Sequence, residues 1–559
     1  MRYGAVATIV FVGMVVAGAV WLTSGTGGAG SGANRPDRAA VESGDDSNPE
    51  DVLASVRSIV TSDTTIANAA RDYYRSSDAR LLWGSADSRS VGALVQATES
   101  APAEGLWADE VDPSGIRDAI QRLDRSRGDS ARAAAELDVS EEFLRLAALV
   151  GGGSAVREEV EVEWEMDADP APDAEVLAQV ATAGVDSALD ALQPQHPVYD
   201  RMVSALERYR SLRDSAVTWP EIDSSAVAEP GDSAQVVAQV RARLAAGADP
   251  EERRLAQRGG EQAAVLDPSL AEGVAHYQGR HGVVVDSVIG PETVEMLNVS
   301  LEERIEQLRI NLDRMRWLPR DFGAQAVLVN VAGFELQVLE ENQPVLEMDV
   351  VVGQPEWRTR VFHDTIDHLV LNPYWHVPES IEAEETLPKV KDDPSYLRDT
   401  NMSVVPAGEN YGEPVDPSTI DWASATADMP YDFRQEPGPE NALGQIKFIF
   451  PNRHNIYLHD TPQRAAFRRD FRAVSHGCIR LERPWDLARY VYRSSIDEDL
   501  SDMERIRSSR ERTRVDLDRP IPVYLVYLTN WVDEDGEVAF HDDVYNRDAR
   551  VDHRVEVEP

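Results

Sequence analysis

The spacing of apolar residues changes once along this chain, near Trp317, and that change constrains the fold more than any other feature. Before Trp317, segments such as residues 141–149 place apolar side chains at helical spacing, whereas residues 334–338 alternate with a period of two. Because the 559 residues exceed what one hydrophobic core supports, two to four packed units are expected. The sequence therefore predicts a multidomain α+β protein, helical first and mainly β afterwards.

The helical part divides into two predicted units. Residues 51–229 are Ala-rich and are interpreted as a helical scaffold domain. Residues 230–300 form a smaller unit in which Gly290 and Pro291 start a helix, since proline is pre-organised for the first helical position. Two apolar stripes at helical spacing precede it: Val236, Val240 and Leu244, then Leu270, Val274 and Tyr277. Three short helices are expected there.

Residues 301–559 are predicted to form a mainly β domain. Residues 334–338 and 346–352 flank a Pro-containing turn and predict a β-hairpin. Further strands are expected at 445–450, 456–458 and 521–528, with a helix after Pro484. The irregular polar stretch at about 376–444 is too long for an ordinary connection, which favours a lid insertion.

The N-terminus predicts export from the cytoplasm. Arg2 precedes a nearly unbroken apolar run over residues 3–22, about long enough to span a bilayer. Residues 1–23 are interpreted as a signal peptide or an uncleaved membrane anchor, and residues 24–50 as a flexible linker. The formal net charge of -44 argues against nucleic acid as a partner, because acidic surfaces repel phosphates.

The chain has a single cysteine, Cys478, so an intramolecular disulfide and a Cys-rich metal site are both excluded. Such a thiol is either a buried structural residue or a nucleophile. A nucleophilic thiol needs a nearby base, and His459 or His476 can supply one. Gly477 lacks a Cβ, so the N–H groups near Gly477 and Cys478 could form an oxyanion hole. These residue types suit acyl transfer.

The motif formed by His459, the run Ser475-His476-Gly477-Cys478 and Arg480 resembles the active-site signature of the L,D-transpeptidase family. Residues 447–452, Arg472 and residues 372–375 match the large Gram-negative form of that family. Residues 270–293 resemble its small three-helix peptidoglycan-binding domain. The resemblance covers about residues 73–548 and is weaker in the scaffold.

The resemblance implies a role for each motif residue. Cys478 would be the nucleophile and His459 the general base, oriented by the backbone carbonyl of Asp460. The Asp460 carboxylate is not expected to reach the imidazole, because adjacent strand residues point to opposite faces. The remaining assignments are as follows: His476 and Gly477 shape the catalytic site, Arg480 and Arg472 hold a substrate carboxylate or form structural ion pairs, and Ser475, Trp375 and Tyr457 bind substrate.

The implied reaction joins the third residues of two peptidoglycan stems through a Cys478 thioester, with release of terminal D-Ala and without a metal or organic cofactor. Peptidoglycan is then the expected partner, in the periplasm, with the N-terminal segment at the inner membrane. Three alternatives stay open. Water could resolve the thioester, giving an L,D-carboxypeptidase or cross-link hydrolase; the protein could be a non-enzymatic peptidoglycan-binding scaffold; or His459, His476 and Cys478 could hold zinc, although a fourth ligand is not evident.

Overall fold

The computed structural model describes residues 48–84, 88–154, 164–166, 172–215, 219, 221–223, 225–258, 263–408, 412–496 and 500–551, which fall in one contact-defined unit. The helices up to Arg316 are Pro49–Ser62, Asn68–Arg75, Arg89–Ser100, Ala108–Val111, Pro113–Arg125, Asp129–Gly152, Ala174–Ala183, Val185–Asp190, Pro197–Asp214, Gln235–Ala246, Pro250–Arg258, Pro268–Arg280, Pro291–Asn298 and Leu301–Arg316. This part of the chain is helical, as its apolar spacing predicts.

The first helices enclose a hydrophobic core of their own, drawn from residues 52–192. Pro49–Ser62 buries one apolar stripe at four-residue spacing. Its N-terminus is capped, because the Asn48 side chain accepts a hydrogen bond from Glu50 N–H. The buried Glu136 of Asp129–Gly152 accepts a hydrogen bond of 2.9 Å from the Tyr74 hydroxyl and one of 3.2 Å from Trp83 N–H. These bonds satisfy a carboxylate that burial would otherwise destabilise.

Residues 222–297 enclose a separate small core. The predicted stripes lie on Gln235–Ala246 and Pro268–Arg280, and Pro291–Asn298 begins at the expected proline. The structure adds a fourth helix, Pro250–Arg258, which the sequence did not reveal because it buries few apolar side chains. Its buried residues are Glu252, Leu255 and Ala256, so its apolar pattern is weak.

The strands after Trp317 form a main sheet that closes on itself and two smaller sheets. The strands are β2 (Gln325–Asn330), β3 (Glu335–Glu340), β4 (Gln343–Gly353), β5 (Val361–Leu371), β6 (Trp375–His376), β7 (Met402–Pro406), β8 (Tyr431–Gln435), β9 (Ile446–Ile449), β10 (Leu458–His459), β11 (Ala473–Ser475), β12 (Ile479–Leu481), β13 (Thr513–Val526), β14 (Asn530–Val532) and β15 (Val538–Phe540); β1 (Trp164–Glu165) pairs with β5 at the edge.

In the main sheet the order is β5-β13-β2-β3-β4-β12-β10-β9, and β9 pairs again with β5. The two smaller sheets are β6-β8-β7 and β14-β15. The antiparallel β3–β4 pair confirms the predicted hairpin. The sheet shares its core with helices Pro197–Asp214 and Leu301–Arg316, so the last helix of the predicted scaffold segment packs with the β domain. The remaining helix near this core, Pro484–Ser495, begins at the predicted proline, and Leu500–Ser509 and Asp548–Val551 follow.

The insertion at 376–444 has a fold of its own. Strands β6, β8 and β7 form a three-stranded antiparallel sheet beside the short helices Glu379–Ile381, Leu387–Asp392 and Ser395–Asp399. Its small core includes Val390, Val404 and Phe433. The irregular sequence of this segment therefore builds a subdomain rather than an open loop.

The predicted N-terminal segments lie largely outside the described residues, which begin at Asn48. Within the part of the chain that is described, no helix combines the length and apolar character needed to cross a membrane.

Candidate active site

Three neighbouring strands bring the motif residues onto one face of the sheet. His459 on β10 lies opposite Lys447 on β9 and opposite Arg480 on β12. Directly opposed residues on paired strands project to the same face, and residues two apart on one strand share that face. Tyr457 and Cys478 lie just outside these strands, two residues before His459 and Arg480 respectively. The Tyr457 ring centre is 5.6 Å from that of His459, and Cys478 lies beside Tyr457. The site is thus set by strand register.

His459 is oriented by backbone and not by a carboxylate. Its Nδ1 lies 2.5 Å from the carbonyl oxygen of Asp460, so Nδ1 carries the proton and donates it, which leaves Nε2 as the basic nitrogen. The Asp460 carboxylate is used elsewhere: it accepts from Gln445 N–H at 2.9 Å and from the Arg464 guanidinium. Burial, followed by the nearby Arg480 charge, lowers the pKa of His459 to about 3. The imidazole is therefore neutral near pH 7.

Cys478 is partly exposed and lies beside Tyr457 and the carbonyl oxygen of Asn455, 3.6 Å from Sγ. Desolvation by surrounding protein atoms raises the pKa of the thiol, while hydrogen bonding to Tyr457 and the charges of Lys447 and Arg480 oppose that rise. Burial, with the neighbouring Cys478 charge, raises the pKa of Tyr457 well above its usual value. The Cys478 thiol and the His459 imidazole are thus both neutral at rest.

A tight turn presents Cys478 at the start of β12. Gly477 has φ of +108°, in the left-handed region that favours glycine. Its N–H donates to Ser475 Oγ at 3.1 Å, and Ser475 Oγ in turn donates to the Cys478 carbonyl at 2.6 Å. Thr359 Oγ1 donates to the Gly477 carbonyl at 2.8 Å. Ser475 therefore shapes the turn.

These hydrogen bonds distinguish the two N–H groups that were expected to form an oxyanion hole. The Gly477 N–H is already engaged by Ser475 Oγ, whereas the Cys478 N–H makes no hydrogen bond to any described residue. The donor that remains for a substrate oxygen is therefore the Cys478 N–H.

His476 lies on the outer side of the turn. Its ring stacks on Trp357 with centroids 4.0 Å apart, and its Nε2 is 3.6 Å from Glu385 Oε1 of the insertion. Trp357, His476 and Gly477 line a cleft of about 400 Å³. His476 thus joins the catalytic turn, the cleft wall and the insertion.

The two arginines that the sequence could not tell apart differ clearly. Arg472 forms an ion pair with Asp349 at 3.1 Å and also donates to the Phe334 carbonyl at 3.4 Å. Arg480 donates to the Gln463 amide oxygen at 2.9 Å and makes no ion pair within the described residues. Arg480 is therefore the arginine whose charge stays available beside the thiol.

Lys447 is a site residue to which sequence reasoning gave no role. Its Nζ lies 5.1 Å from the centre of the Tyr457 ring and has no hydrogen bond or ion pair to the described residues. Burial lowers its pKa, an effect that Cys478 opposes. The signal that would have found it is its strand register with His459.

Trp375 stands on β6 at the start of the insertion and packs, half-buried, against the insertion core. Among the described residues, this side chain makes no hydrogen bond or ring contact with Cys478 or His459. The next residue, His376, has a pKa lowered to about 4 by burial and then by the charge of Lys447.

The zinc alternative finds no geometric support here. Among the described residues, His459, His476 and Cys478 do not form a cluster of potential metal ligands; the one such cluster lies elsewhere.

Comparison with known proteins identifies two segments. Residues 324–517 match the YkuD family, the L,D-transpeptidase catalytic domain, and residues 68–206 match a scaffold domain. A Haemophilus influenzae protein to which L,D-transpeptidase activity is attributed is 36% identical over 253 residues, or 45% of this chain and 50% of that protein. This chain thus spans about half the length of that relative.

Solved structures give a weaker likeness. An L,D-transpeptidase from Mycobacterium smegmatis is 12% identical with a TM-score of 0.17, over 36% of this chain and 58% of that one. L,D-transpeptidase 3 from Mycobacterium tuberculosis is 14% identical with a TM-score of 0.16, over 36% and 60%. The two matched domains define a multidomain α+β protein with an L,D-transpeptidase catalytic domain. Residues 324–517 thus belong to the L,D-transpeptidase catalytic-domain family.

Proposed function

We propose that this protein cross-links peptidoglycan through a Cys478 thioester, joining the third residues of two stems. The observation that carries the proposal is the juxtaposition of the chain's one thiol, a neutral imidazole fixed by the Asp460 carbonyl, and two cations, Lys447 and Arg480, with no carboxylate partner among the described residues. Thiol, base and anion-binding charges are what acyl transfer from a peptide with a free carboxylate needs.

In the first step the Cys478 sulfur attacks the carbonyl between the third residue and the terminal D-Ala of a tetrapeptide stem. The thiol proton passes to His459 Nε2, and the carbonyl oxygen becomes an oxyanion near the Cys478 N–H. When the C–N bond breaks, His459 returns the proton to the amine, and free D-Ala leaves. A thioester remains on Cys478.

The charges around the pair explain why the step waits for substrate. Arg480 lies close enough to lower the pKa of His459, so a stem carboxylate bound at Arg480 offsets that repulsion. The basicity of His459 then rises as the donor arrives. Arg480 would thus bind the donor carboxylate and at the same time tune the base.

In the second step the side-chain amine of a diamino acid on another stem attacks the thioester. Its proton goes to His459, sulfur leaves as thiolate and takes the proton back, and an amide joins the two third residues. No metal or organic cofactor enters either step. We place this reaction in the periplasm, with residues 1–23 as the export signal or inner-membrane anchor and residues 230–300 binding peptidoglycan.

The test is incubation of the protein with purified tetrapeptide muropeptides, followed by mass spectrometry. The expected product is a dimer lighter by one D-Ala than two tetrapeptide monomers, which corresponds to one tetrapeptide joined to one tripeptide, together with one free D-Ala. The Cys478→Ala variant should give no product. A tripeptide monomer alone would assign the chain as a hydrolase, and binding to sacculi without any product would leave it as a non-enzymatic scaffold.

A further inference from the structure

A second cluster of titratable side chains lies far along the chain from the catalytic motif, between the helices of residues 222–297 and the β14–β15 ribbon. Asp249, Glu252 and His276 each present one potential ligand atom, and these atoms all lie within 4.8 Å of one another. Asp249 precedes helix Pro250–Arg258, which carries Glu252, and His276 lies on Pro268–Arg280. Two helix segments therefore converge on one point.

Two of these ligand atoms are buried without a hydrogen bond. Asp249 is 6% exposed; its Oδ1 accepts from Glu252 N–H at 2.9 Å, while its Oδ2 has no hydrogen-bond partner. His276 Nδ1 is also without one, since Glu252 Oε1 lies 3.7 Å away, beyond hydrogen-bond distance. The Arg280 guanidinium pairs with Asp249 Oδ2 at 3.7 Å but is too far away to donate a hydrogen bond to it. Buried polar atoms nearly always have a hydrogen-bond partner, so these two atoms leave a place for a further ligand.

The other nitrogen of His276 is held from the opposite side. Its Nε2 lies 3.1 Å from Glu537 Oε2, just before β15. A carboxylate that accepts from one imidazole nitrogen leaves the other as a lone pair, which is the usual support for a metal-bound histidine. Here that lone pair is on Nδ1, the nitrogen facing Asp249 and Glu252.

The net negative charge of the cluster also favours the binding of a cation. Arg280 pairs with Glu252, lies 3.7 Å from Asp249 Oδ2 and donates to the Val538 carbonyl. Among the described residues, Arg280 is the one arginine that forms an ion pair with any of the three carboxylates of Asp249, Glu252 and Glu537. This leaves two negative charges when His276 is neutral. A divalent ion would bring the cluster to neutrality.

We propose that Asp249, Glu252 and His276 bind one divalent transition-metal ion, with Zn²⁺ the best fit, and that Glu537 orients His276 for it. Two carboxylates and one imidazole are a ligand set that zinc accepts, with water in the fourth position. The ion would fasten the small helical unit to the β14–β15 ribbon, because His276 and Glu537 come from the two sides. It stands apart from the thiol chemistry.

The test uses the full-length untagged protein, stripped with a chelator and then dialysed against Zn²⁺, with bound metal measured by inductively coupled plasma mass spectrometry. One Zn²⁺ per chain is expected. His276→Gln should lose it, and Glu537→Gln should bind about 10–100-fold more weakly, since it removes only the orienting carboxylate. Glu272→Gln, an exposed carboxylate on the same helix, should bind as the unaltered protein does.

Three results would overturn the proposal. The first is no stoichiometric Zn²⁺ in the unaltered protein, which would leave a protonated His276 between Glu252 and Glu537 as the occupant of the cluster. The second is equal binding in the His276→Gln variant. The third is a Zn²⁺ that disappears in Cys478→Ala but persists in His276→Gln, which would place the metal at the thiol. Circular dichroism of each variant checks that the fold is intact, and Glu537→Gln gives a graded readout if His276→Gln does not fold.

Discussion

Positively charged side chains have different partners in two regions of this molecule, one buried and one half-buried. On helix Leu301–Arg316, the side chains of Arg314 and Arg316 are fully buried and each has a carboxylate partner: Asp548 for Arg314, and Asp313 at 3.1 Å for Arg316. On the catalytic face, Lys447 and Arg480 have no such partner among the described residues. In a chain with 99 acidic and 55 basic residues, carboxylates are abundant.

The difference separates a structural from a functional use of charge. A buried cation is costly unless it is compensated, and helix Leu301–Arg316 shows the compensated case. Lys447 and Arg480 keep their charge for an anion that comes from outside, which in the proposed reaction is the carboxylate of a peptide stem. Each prediction below changes one side of this comparison.

The largest effect, on the free energy of unfolding, is expected for the buried arginines that have a carboxylate partner. Arg316→Met leaves the fully buried Asp313 carboxylate without its cation, so the free energy of unfolding should fall by about 3–5 kcal/mol. Urea denaturation followed by tryptophan fluorescence measures this. The matched control is Arg505→Met, which breaks an exposed pair with Asp502 at 2.9 Å and should cost less than about 1 kcal/mol. Equal losses of unfolding free energy in the two variants would contradict a structural role for the buried ion pair.

The next effect is expected in donor binding. Arg480→Gln removes a charged hydrogen bond to the stem carboxylate, worth about 1.5–3 kcal/mol, so acylation by a stem with a free carboxylate should slow by roughly 10–100-fold. A donor with an amidated terminus should lose much less, and the unfolding free energy should hardly change. Arg472→Gln is the control: it breaks the Asp349 pair and should not discriminate between the two donors. Equal slowing with both donors would contradict a carboxylate-binding role.

A smaller effect concerns the thiol itself. Because desolvation raises the pKa of Cys478, alkylation by iodoacetamide should keep accelerating with pH beyond the range of an ordinary thiol. Lys447 opposes that rise, so Lys447→Met should raise the thiol pKa further and slow alkylation at fixed pH by up to about tenfold. A wild-type profile that levels off below the usual thiol range would show a resting thiolate instead of the neutral pair.

The smallest effect is expected at the insertion. His476 and Glu385 are 3.6 Å apart and both are partly exposed, so Glu385→Gln should change the acylation rate by less than about threefold. Rates measured at low and high salt check this, because an exposed pair is screened by ions. A loss of a hundredfold would mean that this contact assembles the catalytic site.

The sequence predicted the periodic parts of the molecule and missed what depends on register or distant partners. The β3–β4 hairpin and the helix beginning at Pro484 follow from local patterns, and the structure confirms both. Helix Pro250–Arg258 lacks an apolar stripe and was not foreseen. The fold of the insertion was not foreseen either, since its strands β6, β7 and β8 are short and widely separated along the chain.

The candidate site likewise has residues that the local sequence predicts and residues whose role depends on distant partners. The motif consists of two short segments close together in the chain, so Cys478, His459 and their neighbours could be predicted from sequence. Arg472 and Arg480 could not be distinguished, because the partner that separates them, Asp349, lies 123 residues before Arg472. Lys447 becomes a site residue only through its pairing with His459 across β9 and β10. The engagement of the Gly477 N–H by Ser475 likewise depends on the conformation of the turn.

The central claim is that His459, and not His476, carries the proton, and the most direct test is the pH dependence of the acylation rate, measured by rapid quenching. His459→Ala should lower the rate by about 10²–10⁴-fold and shift the remaining activity to alkaline pH, where the thiol ionises unaided. His476→Ala should lower the rate without that shift, because the neutral His459 remains as base. An alkaline shift in the His476 variant, together with a normal profile in the His459 variant, would contradict the account.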